Sequence, residues 1–135
     1  MWEHFAHQAD IGIRATAESL SSAFADAAVA LTAIVTKPKK VEPLECVKIE
    51  CDAENEELLF VNWLNSIIYE MAVGKMLFGK FEVRIDNLTV SAKIWGEKID
   101  QAKHSPAVEP KAVTYNQLSV KEENGKWTVQ CVIDV

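Results

Sequence analysis

Residues 111–135 read KAVTYNQLSVKEENGKWTVQCVIDV, and this stretch decides the fold. Trp127, Val129, Cys131 and Ile133 recur at every second position, the period of a strand with one buried face, so Thr128, Gln130 and Asp134 fall on the other. Ala112 to Lys121 forms a second strand. The two are joined across Glu122-Glu123-Asn124-Gly125, where Asn-Gly favours the positive φ angles of a tight hairpin. The last part of the sequence is therefore antiparallel sheet.

Upstream of it, Phe81, Val83 and Ile85 alternate, Asp86-Asn87 can reverse the chain, and Leu88, Val90, Ala92 and Ile94 alternate again, giving another hairpin. Gly96 to Pro110 is polar, holds His104, and reads as a long irregular connection of the kind that often carries function. Earlier the pattern changes. Ile11 to Thr16 alternates as a strand; then Ser19 can cap a helix whose face is Leu20, Phe24, Ala27, Ala28, Leu31, Ile34 and Val35. Lys37-Pro38-Lys39-Lys40 stops that helix. Val47, Ile49 and Cys51 mark a further strand. After it, Glu54, Glu56 and Glu57 open a second helix with Leu59, Trp63, Leu64, Ile67, Ile68 and Met71 as its stripe and Gly74 as its stop. Strands and helices interleave early and strands dominate late. The expectation is α+β: a single domain over residues 1–135, with a mixed or antiparallel sheet packed against two main helices.

Composition narrows the function. The chain has 135 residues, 49% of them hydrophobic, with 14 Lys+Arg against 20 Asp+Glu and a net charge of -6. Such a length fits one core and the composition argues against disorder. The acidic balance disfavours a protein that grips a nucleic-acid backbone by itself, since that affinity comes from Lys and Arg. Cys46, Cys51 and Cys131 are odd in number and form no CxxC pair, which suits buried thiols in a reducing compartment. Met1 to Phe5 has no basic region followed by an apolar run, and the apolar stretch from Phe24 to Val35 carries Asp26 and is too short to cross a bilayer. A soluble cytoplasmic protein is expected. Of the four tryptophans, Trp95 lies off its strand's apolar alternation and is expected at the surface.

No glycine-rich phosphate loop, GxSxG, HExxH or EF-hand pattern occurs. His4-x-x-His7-x-x-Asp10 offers three donors for zinc, against the commoner reading of two partly exposed histidines. Asp10 stands directly before an apolar strand, where it is either a turn cap or a carboxylate that needs a partner. Asp134 precedes Val135, whose α-carboxylate, if the chain ends there, is a second anion close by. Should the first strand bring Asp10 near, three oxygen donors converge, a set suited to a hard cation such as calcium or magnesium. A frayed, solvated tail is the open alternative. Lys111 opens a strand after Glu109-Pro110, where it could neutralise such a cluster, or simply be solvated.

Three segments resemble the archease family: His7-Gln8-Ala9-Asp10-Ile11-Gly12-Ile13-Arg14-Ala15, Lys111-Ala112-Val113-Thr114-Tyr115, and Val132-Ile133-Asp134-Val135. The likeness continues through Leu20 to Leu31, Glu57 to Tyr69, and the connection from Gly96-Glu97 to Glu109. Gln8 stands where the family usually has threonine, and Asn116 where a histidine commonly follows Thr-Tyr. The resemblance implies a helper that is not itself an enzyme. Archeases assist the GTP-dependent RNA-splicing ligase of the RtcB type, promoting its guanylylation and multiple turnover in tRNA splicing and RNA repair. It implies a divalent cation, calcium or else magnesium, on Asp10, Asp134 and Val135. Lys111, His104 and Glu109 become further functional candidates. The ligase is the implied partner, RNA is met only through it, and neither DNA nor a membrane is involved. Two other functions fit the residues: a small metal-dependent hydrolase, and a metal-stabilised binding module for another RNA-processing enzyme.

Overall fold

The computed structural model describes residues 1–135 and places β2 (Asp10–Ala17) antiparallel to β7 (Lys126–Asp134), with Ile11 opposite Ile133 and Ile13 opposite Cys131. β1 (Trp2–His7) flanks β2, and β6 (Ala112–Glu123) flanks β7, giving a four-stranded sheet in the order β1-β2-β7-β6. A second sheet, β3-β5-β4, is built from β3 (Glu45–Asp52), β4 (Met76–Asp86) and β5 (Thr89–Lys98). Every strand pair is antiparallel. The α+β expectation holds. The strands divide into two separate sheets because α1 (Leu20–Val35) and α2 (Glu56–Gly74) lie between them, each touching strands of both.

Local chemistry explains the helix limits. The Ser19 hydroxyl accepts the Ser22 N–H at 3.0 Å to start α1, which stops before the single 3-10 turn Pro38–Lys40. Asn55 caps α2 through the Leu58 N–H at 2.8 Å, and Glu56 and Glu57 complement the helix dipole. The stop lies one residue beyond Gly74, at Lys75, which takes the left-handed conformation at φ 52°. Phe24, Phe60 and Trp63 are fully buried, each worth roughly 1.5–3 kcal/mol of apolar transfer. The Trp63 indole also donates to the Phe24 carbonyl at 2.9 Å, tying the two helices together.

The Asn124-Gly125 hairpin forms as read, with φ 52° and 77°. The other turn sits one residue later than expected, at Asn87-Leu88 with φ 50° and 61°, because Asp86 pairs with Thr89. Trp95 is half-buried, with the Lys80 ammonium 4.6 Å from its ring centre. The connection after β5 is more ordered than expected, since it contains the one-turn helix α3 (Gln101–His104). β6 carries a bulge: Thr114 and Ser119 are five positions apart but face Val132 and Gln130, two apart. No helix is long and apolar enough to cross a membrane.

Candidate functional site

Side chains along β2 and β7 divide cleanly by face. Ile11, Ile13, Ala15, Val129, Cys131 and Ile133 join the core, so Asp10, Gly12, Arg14 and Thr16 share the outer face with Thr128, Gln130, Val132 and Asp134. Cross-strand contacts follow this register. Thr16 meets Thr128 at 3.0 Å, and Arg14 Nε donates to Gln130 Oε1 at 2.9 Å. The next-to-last outer row pairs Gly12 with Val132, and Phe5 lies over Gly12 so closely that a Cβ there would collide with its ring. One step past the final paired position, Ile11 opposite Ile133, stand Asp10 and Asp134. Facing residues of an antiparallel pair have Cα atoms roughly 4.5–5.5 Å apart.

The register thus brings the backbones of Asp10 and Asp134 to the same end of β2 and β7. Neither carboxylate takes part in any ion pair of the chain. Two adjacent anions without a counter-charge repel, and a hard cation between them relieves that cost. An oxygen of Val135, half-buried beside them, would be the third donor. No three His, Cys, Asp or Glu side chains converge into a metal cluster anywhere. An ion here would be held by two side chains and the end of β7 rather than by a closed protein cage.

The zinc arrangement is excluded by geometry. His4 faces inward, where its Nε2 donates to the Ala30 carbonyl of α1 at 2.8 Å, whereas His7 lies opposite Asp10 on the outer face. Histidines on opposite faces of one strand cannot share an ion. The His7 Nδ1 is buried without a hydrogen-bond partner.

Lys111 lies at the same end. Its backbone N–H donates to the Asp134 carbonyl at 2.8 Å, and its side chain is exposed. Glu109 is exposed and lines a cavity with Met71, Val108 and Pro110. His104 is elsewhere: it is 1% exposed, with both ring nitrogens occupied. Nδ1 accepts the Asp100 N–H at 2.9 Å, so the proton sits on Nε2, which donates to Glu97 at 3.0 Å. It holds the connection in place and is not free to bind a ligand.

Glu97 is the residue the sequence reading left without a role. Only 9% exposed, it accepts from the Lys103 ammonium at 2.8 Å, the Glu42 N–H at 2.8 Å and His104. The Lys103 bond chiefly, then the Glu42 amide, lower its carboxyl to a pKa of about 2 despite the opposing effect of burial. Glu97 raises the Lys103 pKa in return. The Thr36 hydroxyl donates to the His104 carbonyl at 2.6 Å, and the Ala107 N–H to the Val35 carbonyl at 2.9 Å. Together these bonds pin the connection that leads to Lys111 onto the end of α1.

Comparison with known proteins agrees with the sequence motifs. The sequence model of the Archease protein family (MTH1598/TM1083) matches residues 2–135. The chain is 39% identical to the protein archease of Sulfurisphaera tokodaii over 136 residues, covering 99% of this chain and 98% of that one. It is 37% identical to the protein archease of Pyrococcus abyssi over 139 residues, at the same coverage. The solution structure of Methanobacterium thermoautotrophicum protein 1598 superposes with a TM-score of 0.88 at 28% identity, covering 99% of this chain and 98% of that one. A Thermotoga maritima archease, described as a possible chaperone, shares the fold at a TM-score of 0.68 and 16% identity, with coverage of 97% and 94%. The chain belongs to the archease family.

Proposed function

We propose that this protein is a divalent-cation-binding accessory protein of the cytoplasm, which activates an RNA-splicing ligase of the RtcB type and performs no catalysis of its own. The observation that carries the reading is the position of Asp10 and Asp134 one step past the last pair of the β2-β7 ladder, in a chain of the archease family. Its role is chaperone-like, biasing the conformation of a partner that does the chemistry.

Asp10, Asp134 and Val135 would hold the ion, with calcium the first expectation and magnesium the second. Bound there, it supplies concentrated positive charge at an otherwise acidic edge. The ladder sets the backbone positions of the two residues, which would lower the cost of bringing their carboxylates onto one ion. Lys111, anchored by its backbone bond to Asp134, presents an exposed ammonium from the same edge to the partner's surface. The protein meets RNA only through the ligase.

Multiple-turnover RNA ligation by the cognate ligase, with and without this protein, tests the proposal. The expected result is sustained turnover only when the protein is present, lost with Asp10→Asn or Asp134→Asn. Equal stimulation by both variants would refute the role of the carboxylates. Hydrolysis of RNA or phosphate esters by the protein alone would refute the accessory role.

A further inference from the structure

Among the four main cavities, three include carboxylates in their walls, as expected for a chain of net charge -6. The fourth does not. This cavity, about 450 Å³, lies between the inner face of β1 and the last turn of α1, and its walls contain Lys37 and Lys40 but neither Asp nor Glu. Cation and anion distributions this uneven set the sign of the ligand a site attracts.

One wall is aromatic. Trp2, 36% exposed, stands 5.0 Å from His4, ring centre to ring centre, at an interplanar angle of 44°. The His4 ring is fixed by its bond to the Ala30 carbonyl, so it braces the indole, which stays partly exposed. Ile34 supplies an apolar floor. Lys37 and Lys40 project from the rim on the 3-10 turn, where Pro38 fixes the first dihedral and the Lys40 N–H donates to the Lys37 carbonyl at 2.9 Å. Neither ammonium is in an ion pair. The negative end of α1 is partly quenched, because the Thr32 and Val35 carbonyls accept the Thr36 and Ala107 N–H groups.

A flat π surface beside two unpaired lysines carried on one constrained turn is complementary to one class of small molecule, a planar heteroaromatic ring carrying a phosphate. We propose that this cavity binds a single nucleotide, with the base stacked on Trp2 and the phosphate held by Lys37 and Lys40. Its volume lies within the usual range for small-molecule sites. The net charge repels a long polyanion, so a free mononucleotide is the ligand rather than a strand. The site lies on a different part of the fold from the Asp10-Asp134 edge, and its occupancy does not depend on the ligase role.

The test is an NMR titration of the full chain, following the Trp2 indole N–H, with guanosine monophosphate, adenosine monophosphate, guanosine, inorganic phosphate and a five-nucleotide single strand as separate arms. Both monophosphates should shift the Trp2 signal at millimolar concentration, while nucleoside or phosphate alone binds more weakly. The double variant Lys37→Ala/Lys40→Ala, read at the Trp2 signal, and Trp2→Ala, read at the backbone amides of the lining residues Ala33 and Thr36, should each weaken binding by about tenfold. All three positions are exposed, and unchanged circular dichroism would confirm that each variant folds. No shift at Trp2, undiminished binding in either variant, or phosphate binding as tightly as the monophosphates would overturn the assignment. A strand that bound more tightly than the monophosphates would overturn it too.

Discussion

The backbone N–H of Lys111 donates to the carbonyl of Asp134 at 2.8 Å, so the lysine that precedes β6 and the carboxylate that closes β7 belong to one rigid ladder. Lys111→Gln leaves that bond intact. Thermal midpoint and cation affinity should be unchanged, while ligase stimulation falls by about tenfold, the size expected on losing one charge-assisted contact. Stimulation equal to that of the wild type would remove Lys111 from the partner surface.

The adjacent carboxylates predict a stability linked to cations. Calcium should raise the thermal midpoint of the wild-type protein, as any ligand selective for the native state does. Asp10→Asn and Asp134→Asn should abolish that rise, yet be no less stable than wild type without calcium, since each removes one of two repelling charges. Differential scanning fluorimetry with calcium and with chelator reads both effects. A full calcium shift retained in either variant would count against the site.

Glu97 predicts a pH dependence with a defined sign. Its pKa is about 2 in the fold and near 4.3 in an unfolded chain, so its contribution is complete above the unfolded value and lost as pH falls toward 2. Glu97→Ala should cost about 2 kcal/mol at pH 7. The gap between wild type and variant in urea unfolding should narrow steadily below about pH 4.5. A gap independent of pH would mean that the ionised carboxylate is not what stabilises the connection.

Two glycines predict costs of different size. At Gly96 an added Cβ would run into the Leu77 backbone, which cannot yield, so Gly96→Ala should destabilise by about 3 kcal/mol or more. At Gly12 the obstacle is the Phe5 side chain. Gly12→Ala should cost about 1 kcal/mol, and Phe5→Ala in the same chain should recover much of it. Chemical denaturation of the three variants checks the order.

Most of the fold was legible because its strands and helices bury regular apolar stripes. β1 was not. Its inward residues are Trp2, His4 and Ala6, two of them polar or small, while its one purely apolar large residue, Phe5, points outward onto Gly12. Periodicity read from hydrophobicity alone is inverted there. Met76, Leu77 and Phe78 open β4 as a continuous apolar run, all three buried, with no alternation to mark them as strand. That Asp10 and Asp134 stand at the same end of β2 and β7 could be anticipated because both sit at strand ends of known polarity. The Glu97 network could not, since it joins β5, α3 and the loop at Glu42, and only tertiary structure shows that a charged residue there is buried.

The bulge in β6 also matters at high protein concentration. The Val113 N–H is taken by the Asn65 side chain of α2 at 3.0 Å, and residues 115–118 leave the straight path of the strand. A stray extended segment finds no continuous row of free amides along that flank, so edge-to-edge growth into fibrils is blocked at β6. Straightening the bulge by deletion would expose such a row and turn a self-limiting particle into one that polymerises.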